Sequence, residues 1–357
     1  MKKVSLLILV AIMAVGLAGC IKIQSQQAAV SSSVGVFVSG DRGDTWLQRV
    51  KLMTPGAIDA NIPGGQILNI TMDPTDTDAM YVGTRNDGLY YSYNGGDGWT
   101  KAVKLSKVAP GRVLSVAIDP KDKCSIYAGV ENRVVKSSDC NRTWEAKFNT
   151  PRGDLVINSL AIDWSNTAVV YAGSSNGTIF KSTNAGASWI NLYNLNKNVK
   201  KLIVDPNDSQ VLYALLEQGG IQRSLDGGAS WISLNDNMKD FVGNTNEGFG
   251  LEMVKGSPNV LYYLSRFGLL RSLDSGASWS QVKLLTDIDS TAFNAFAVAP
   301  NNSNYLFIAD DKTVYRSLNG GQTWETRVLP STSRITDMKV HLANDKILYI
   351  GFKEVEK

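Results

Sequence analysis

One eight-residue pattern recurs seven times along this 357-residue chain and constrains its fold more than any other feature. In 224–231 it reads Ser-Leu-Asp-Gly-Gly-Ala-Ser-Trp, and successive copies begin 42 to 53 residues apart. A period of this length indicates a stacked, repeated structural unit. The copies account for seven of the eight tryptophans. Their first, third and last residues are Ser39, Asp41 and Trp46; Ser92, Asn94 and Trp99; Ser137, Asp139 and Trp144; Ser182, Asn184 and Trp189; Ser224, Asp226 and Trp231; Ser272, Asp274 and Trp279; Ser317, Asn319 and Trp324.

Each copy has the composition of a tight hairpin turn between two short strand-like segments, such as 220–223 and 232–234. Serine and aspartate side chains accept hydrogen bonds from backbone N–H groups two or three residues later. Gly228 supplies a positive φ at little cost, and copy three has Asn141 at that place. The closing tryptophan is predicted to pack beside its own or a neighbouring unit.

These residues resemble the Asp-box, or bacterial neuraminidase repeat, over nearly all of the chain. In that family the box is a structural hairpin away from the catalytic residues, so the resemblance implies a structural role for all seven copies.

The segments between the boxes predict four short strands per unit. An apolar run ends in Asp-Pro or a similar pair, as in 70–74 and 116–120, and a second run carries an aromatic residue such as Tyr81 or Tyr127. A third strand, the box and a fourth strand complete the unit, which is typical of a β-propeller blade. The end segment 335–352 supplies two strands, and the segment from Gly35 supplies the other two. We therefore predict an all-β, seven-bladed β-propeller over residues 34–357, with one closing blade shared by both ends.

The N-terminus has the features of an export signal. A basic head at 1–3 precedes the apolar run 4–17, and Leu-Ala-Gly-Cys follows at 17–20. This end resembles a bacterial lipobox, which implies cleavage before Cys20 and diacylglycerol on its thiol. The alternative is an ordinary signal peptide with an incidental cysteine. Residues 21–33 are polar and small and predict a flexible tether, so we expect a membrane-anchored, extracytoplasmic lipoprotein of the cell envelope.

The charge balance, the cysteines and the single histidine limit the kinds of partner and site that we expect. Lys and Arg number 36 against 33 Asp and Glu, with no basic run, so we expect no nucleic-acid partner. Cys124 and Cys140 lie in two turns of one unit that emerge on the same side, and export favours their disulfide over two free buried thiols. The only histidine, His341, is expected to be an ordinary strand residue. We expect no metal, no cofactor and a monomeric chain.

Enzymatic activity is the alternative to binding. Asp-box propellers include sialidases and xyloglucan-cleaving endoglucanases, so the resemblance admits a glycoside hydrolase or a glycan binder. Four aspartates, Asp73, Asp119, Asp163 and Asp205, are candidate carboxylates, but they repeat at one place per unit, where aspartate caps turns. Three arginines, Arg152, Arg266 and Arg334, are candidates for a carboxylate-binding cluster, whose convergence the sequence leaves open.

The other relatives that the boxes suggest are binding proteins. The chain is similar to the photosystem II stability/assembly factors in length, lipid anchor and single ring, and its Tyr-Ala-Gly strands resemble the sortilin and xyloglucanase branch. These resemblances imply a scaffold that binds a protein or peptide. We expect the binding surface in the loops opposite the box turns, where aromatic and arginine side chains favour recognition; the alternative is that the aromatics fold back onto the rim. The candidates are Arg85, Phe241, Phe249, Arg266 and Phe267.

Overall fold

The described part of the chain forms a ring of seven four-stranded antiparallel sheets. The structure is a computed structural model that describes residues 33–53, 61–62, 66–241, 245–285 and 293–354. Cys20 and the rest of the predicted signal and tether, except Ser33, lie outside these residues. No helix among the described residues has the length and apolar character that a membrane crossing requires. The predicted all-β, seven-bladed propeller is thus confirmed.

Each blade is a meander whose first strand lies innermost, and we number the blades from the shared one. Blade 1 contains β27 (Arg334–Val340), β28 (Leu348–Lys353), β1 (Gly35–Ser39) and β2 (Leu47–Gln48); blade 2, β3 (Ile67–Met72), β4 (Met80–Thr84), β5 (Leu89–Ser92) and β6 (Thr100–Lys101); blade 3, β7 (Val113–Asp119), β8 (Asp122–Val130), β9 (Arg133–Ser137) and β10 (Glu145–Asn149); blade 4, β11 (Ile157–Ile162), β12 (Val170–Ser174), β13 (Thr178–Ser182) and β14 (Ile190–Asn194). Blade 5 contains β15 (Val199–Val204), β16 (Leu212–Leu216), β17 (Gly220–Ser224) and β18 (Ile232–Ser233); blade 6, β19 (Gly248–Val254), β20 (Ser257–Ser265), β21 (Gly268–Ser272) and β22 (Ser280–Val282); blade 7, β23 (Ala295–Ala299), β24 (Asn302–Ala309), β25 (Thr313–Ser317) and β26 (Glu325–Val328). A short helix α1 (Val103–Val108) and a 3₁₀ turn (Asn235–Met238) lie between blades.

The two ends of the chain close the ring in blade 1, as the sequence predicts. Strand β1 pairs with β28 over five residues, from Gly35 opposite Phe352 to Ser39 opposite Leu348. A salt-bridge network reinforces the neighbouring junction, because Arg316 of blade 7 contacts Asp44 of blade 1 at 3.1 Å and Glu325 at 2.7 Å. The closed ring leaves no inner strand without a neighbouring blade.

In the box turns the serine and aspartate side chains accept from backbone N–H groups, as predicted, but the shortest of these bonds span four residues and not two or three. In the fifth copy, the Ser224 hydroxyl accepts from the Gly228 N–H at 2.8 Å and donates to Asp226, which in turn accepts from the Ser230 N–H at 2.8 Å. Gly228 and Asn141 have φ values of 92° and 69°, which confirms the predicted left-handed position. The residue before it is also left-handed in every copy, and this was not predicted. Those residues are Arg42, Gly95, Cys140, Ala185, Gly227, Ser275 and Gly320.

The core lies between neighbouring sheets, and the aromatic residues of the second strands carry much of it. Tyr171 is buried, and its hydroxyl donates to the Gly227 carbonyl in the box turn of the next blade at 3.1 Å. Tyr213 reaches the Ser275 carbonyl of the following box turn at 3.0 Å in the same way. The box turns of blades 5 and 6 are therefore also contact points for the preceding blade, and each satisfies a tyrosine hydroxyl of that blade.

Blade 3 contains the predicted disulfide between Cys124 and Cys140. Cys124 lies inside β8, just after the turn in which the sequence placed it, and Cys140 lies in the box turn. Their Cα atoms are 4.0 Å apart, and their sequence separation is 16. A loop of this size corresponds to about 3 kcal/mol of stabilisation on the loop-closure model.

The aspartates that follow the inner strands cap turns. Asp73 Oδ1 accepts from the Thr75 N–H at 2.8 Å, and Asp163 accepts from the Ser165 N–H at the same distance. In blade 1, His341 takes this place directly after β27, where Nδ1 accepts from the Ala343 and Asn344 N–H groups at 3.1 Å each. His341 is therefore a turn cap rather than the strand residue that we predicted. Its acceptor role requires a neutral ring, and burial lowers its pKa.

Candidate functional site

The seven inner strands surround a central channel, and all of them run in the same direction. Box turns join third to fourth strands, so the inner strands end on the box face and begin on the opposite face. At that opposite face the channel widens into a cavity of about 430 Å³, which we call the polar mouth. Its charged lining residues are Lys200, Lys201, Glu252, Asp337 and Lys339.

A β-bulge near the start of the inner strand shapes the mouth. Six of the seven inner strands shift register there, and the residue at the shift lines the cavity in each case. A bulge redirects a side chain that regular pairing would place on a sheet face. The six residues are Leu68, Leu114, Asn158, Lys200, Phe249 and Thr336.

Two ion pairs lie inside the mouth, one between blades 5 and 6 and one within strand β27 of blade 1. Lys201 Nζ lies 2.8 Å from Glu252 Oε1, and Lys339 Nζ lies 2.6 Å from Asp337 Oδ1. Burial opposes the charge of Glu252, but the charges of Lys201 and Lys339 outweigh it and hold the pKa of this carboxyl below its ordinary value. Burial likewise opposes the charge of Lys339, while Asp337 and Glu252 raise its pKa. Both shifts favour the charged forms of Glu252 and Lys339.

Asp337 also holds the neighbouring blade in place. Its Oδ2 accepts from the Ile70 N–H of blade 2 at 2.8 Å, and Oδ1 accepts from the Met338 N–H at 2.8 Å. Ser159 has the equivalent role in blade 4, where its hydroxyl accepts from the Leu202 N–H of blade 5. The strand pairing of each sheet ends within its blade, so such side chains help to connect the inner strands of neighbouring blades.

Lys200 differs from the other two lysines of the mouth. Its Nζ donates to the Gly248 carbonyl at 2.9 Å and lies 6.0 Å from the centre of the Phe249 ring. Among the described residues, no carboxylate forms a salt bridge with it. Its side chain is accessible from the mouth, yet the surrounding channel wall partly desolvates the ammonium and lowers its pKa. Lys200 is thus a cation with only neutral direct partners.

The channel is apolar at its other end. A cavity of about 320 Å³ opens on the box face and is lined by residues such as Met72, Ile162 and Val204. Trp164, the tryptophan outside the boxes, lies at this end with Lys255 over its ring at 5.3 Å. The two openings therefore differ in chemistry: Lys255 is the charged residue among those lining the box-face cavity, and five charged residues line the mouth.

One predicted binding residue lies in the mouth. Phe249 is 37% exposed and lines the cavity beside Lys200. Phe241 and Phe267 instead pack against each other, with ring centres 5.5 Å apart, and belong to the apolar cluster between blades 5 and 6. These two rings therefore fold back onto the rim, which is the alternative to an exposed binding surface.

The arginines named from the sequence do not gather in the mouth. Arg85 follows β4 in blade 2, and its backbone N–H donates to the Gln66 carbonyl. Arg266 lies 3.4 Å from Glu247, Arg152 pairs with Asp154 at 2.6 Å, and Arg334 approaches Asn294 at 3.4 Å. None of the four lines the cavity, so these residues do not form the arginine cluster that a sialidase uses.

The sequence interpretation missed the five charged residues of the mouth, although a signal for them was present. Lys200 and Lys201 occupy the inner-strand positions where blade 2 has Leu68 and Asn69. Such departures from an otherwise regular repeat indicate positions that are selected for function rather than for folding.

Solved structures with the same architecture include GH74 enzymes and YCF48 proteins. The GH74 enzyme of Niastella koreensis superimposes with a TM-score of 0.67 at 17% identity over 85% of this chain, and the GH74 xyloglucanase of Xanthomonas campestris with 0.66 at 17% over 81%. YCF48 bound to a D1 peptide gives a TM-score of 0.62 at 16% identity over 86% of this chain, and YCF48 from Cyanidioschyzon merolae gives 0.61 at 13% over 82%.

Length separates the two groups. The chain spans 53% and 51% of the two GH74 enzymes, but 99% and 97% of the two YCF48 structures. No family model and no curated protein matches the sequence. At these identities the likeness shows the seven-bladed fold, and function has to be argued from the site.

Proposed function

We propose that this chain is a lipid-anchored, extracytoplasmic scaffold that binds a polypeptide at the polar mouth. The observation that carries the proposal is the mouth itself, where an accessible aromatic ring, Phe249, adjoins a concave cavity with preformed ion pairs. Protein-binding sites commonly combine an aromatic anchor with satisfied polar groups around it. The similarity in length and fold to YCF48, solved with a D1 peptide, supports the same class of ligand.

The lipid anchor is proposed from the sequence alone, on the Leu-Ala-Gly-Cys at 17–20. Metabolic labelling with palmitate tests it directly. We expect the label to enter the wild-type chain and to disappear with Cys20→Ala. Persistence of the label in that variant would contradict the anchor and leave the proposal on binding unaffected.

Binding is tested by capture of partners from envelope extracts with the purified chain. We expect Phe249→Ala to lower capture about tenfold or more, the loss typical of a central aromatic contact. Leu225→Ala is the matched control, because Leu225 is 58% exposed on the box face, away from the mouth. Equal capture by both variants would place the binding surface elsewhere.

A glycoside hydrolase is the second candidate, since Glu252 and Asp337 line one cavity and GH74 enzymes share the fold. Such an enzyme requires a carboxyl group that stays protonated to act as a general acid. The pKa of Glu252 is instead lowered, and both oxygens of Asp337 accept hydrogen bonds within the protein. The ion pairs therefore favour binding over hydrolysis.

A screen against xyloglucan and aryl-glycosides decides between the two candidates. We expect no turnover by the purified chain. Hydrolysis that Glu252→Gln abolishes would establish the enzyme and displace the scaffold proposal.

A further inference from the structure

Lys200 is the charged residue of the mouth that forms no salt bridge with a carboxylate of the described residues. Among the described residues, three ammonium groups and two carboxylates line the mouth, and each of these carboxylates is in a salt bridge with Lys201 or Lys339. Lys200 has the Gly248 carbonyl and the Phe249 ring as its direct partners. Its ammonium is thus the positive charge in excess within this cavity.

Two acidic residues of the described chain act on Lys200 through their charge, and both are bonded to other residues. Glu217 and Glu247 favour the charge of Lys200 from a distance. Glu217 accepts a hydrogen bond from Asn198 at 2.9 Å, and Glu247 lies 3.4 Å from Arg266. A group that supplies the missing negative charge therefore has to come from outside the described residues.

We propose that the polar mouth holds a carboxylate of the bound polypeptide against the ammonium of Lys200. This inference rests on the proposed peptide-binding function and specifies the chemistry that the partner presents. A lysine on a flexible stem suits a single carboxylate approached as a point charge. The partly desolvated wall strengthens a charge-assisted hydrogen bond relative to one in open water.

Phe249 adds a requirement for an apolar group in the bound segment. The ring lies beside the Lys200 ammonium and is exposed to the cavity, so the bound segment places an apolar group next to its carboxylate. Both residues are redirected by bulges of neighbouring inner strands, which fixes their spacing on rigid elements. The carboxylate comes either from an acidic side chain or from the end of a chain, and these two sources are separable.

The test uses bead-displayed octapeptide libraries and the purified chain. One library ends in free carboxylates and contains aspartate and glutamate; a second has amidated ends; a third has amidated ends and neutral side chains only. We expect retention in the first library and at least tenfold weaker retention in the third. If the second library is also retained, the recognised carboxylate belongs to an acidic side chain. If the second library is not retained, the recognised carboxylate is the C-terminal one.

Three variants test whether retention of the peptides depends on Lys200. Lys200→Gln is expected to weaken retention about tenfold or more, whereas Lys200→Arg keeps most of it. Lys197→Gln is the matched control, because this exposed lysine of the same face also donates to a carbonyl, that of Gln218, but does not line the mouth. Thermal denaturation of each variant confirms folding.

The outcomes distinguish this inference from the proposed function. Equal retention of charged and neutral libraries, or retention unchanged by Lys200→Gln, overturns the carboxylate site and leaves peptide binding intact. Failure of every library to bind overturns both.

Discussion

The buried serine of the box offers the sharpest test of why this chain folds as it does. Ser224 is 1% exposed, and its hydroxyl accepts from the Gly228 N–H at 2.8 Å and from the Asp226 N–H at 3.3 Å while donating to the Asp226 carboxylate. Ser224→Ala removes all three interactions at once. It also leaves the Gly228 N–H buried without an acceptor.

The expected cost follows from these contacts. A net hydrogen bond contributes about 1 kcal/mol, and an orphaned buried donor costs about 1–3 kcal/mol. We therefore expect Ser224→Ala to lower the free energy of unfolding by about 2–3 kcal/mol. In urea, with a slope of about 3 kcal/mol per molar for a chain of this size, the midpoint falls by about 0.7–1 M.

Ser230 of the same turn supplies the control. Its hydroxyl donates to Asp226 at 2.6 Å, but the residue is exposed, and its backbone N–H keeps its own bond to Asp226 after Ser230→Ala. We expect a change within about 0.5 kcal/mol for this substitution. Equal costs for the two serines, at an unchanged urea slope, would refute burial as the source of the effect.

Two further predictions concern other turns of the ring. His341→Asn keeps a neutral acceptor and is expected to remove part of the pH dependence of stability. Because the pKa of His341 is lowered on folding, the wild-type protein loses stability relative to the variant as the pH falls below about 6.5. Urea midpoints of both proteins at pH 7.5 and 5.5 measure this difference. Identical midpoint shifts in both proteins would contradict this role. Ala185→Gly relieves a left-handed residue with φ of 55° and is expected to raise the free energy of unfolding by about 0.5–1 kcal/mol, whereas Ala187→Gly in the same turn lowers it; stabilisation by both would show that strain is not the cause.

The architecture was accessible from sequence because every unit repeats the same local solution. The serine, the acidic or amide residue and the left-handed position appear in each box, so local chemistry and global fold agree seven times. The shared blade also followed from counting strands at the two ends. Turn details were less accessible, since Ala185 and Arg42 take a left-handed conformation that their side chains do not favour. The hydrogen bonds of the box impose that conformation against local preference.

His341 shows a second limit of sequence interpretation. Aligned on Met338-Lys-Val-His, it stands where Asp73 and Asp163 stand in their units, and the structure gives all three the same capping role. Residue type alone does not reveal this, because imidazole and carboxylate share only the ability to accept from backbone N–H groups. Position in the repeat was the informative property.

The polar mouth was the least predictable part, for a related physical reason. A strand pattern assigns alternate residues to the two faces of a sheet, but a bulge turns one residue out of that alternation and towards the channel axis. Lys200 and Phe249 occupy equivalent bulges of adjacent blades, so residues 49 positions apart in sequence become neighbours. The repeat fixes where these side chains lie, and the departures from the repeat decide their chemistry. A leucine at the bulge of blade 5, like Leu68 and Leu114 in blades 2 and 3, would keep the fold and remove the Lys200 ammonium, so this charge is the part of the mouth that folding does not explain.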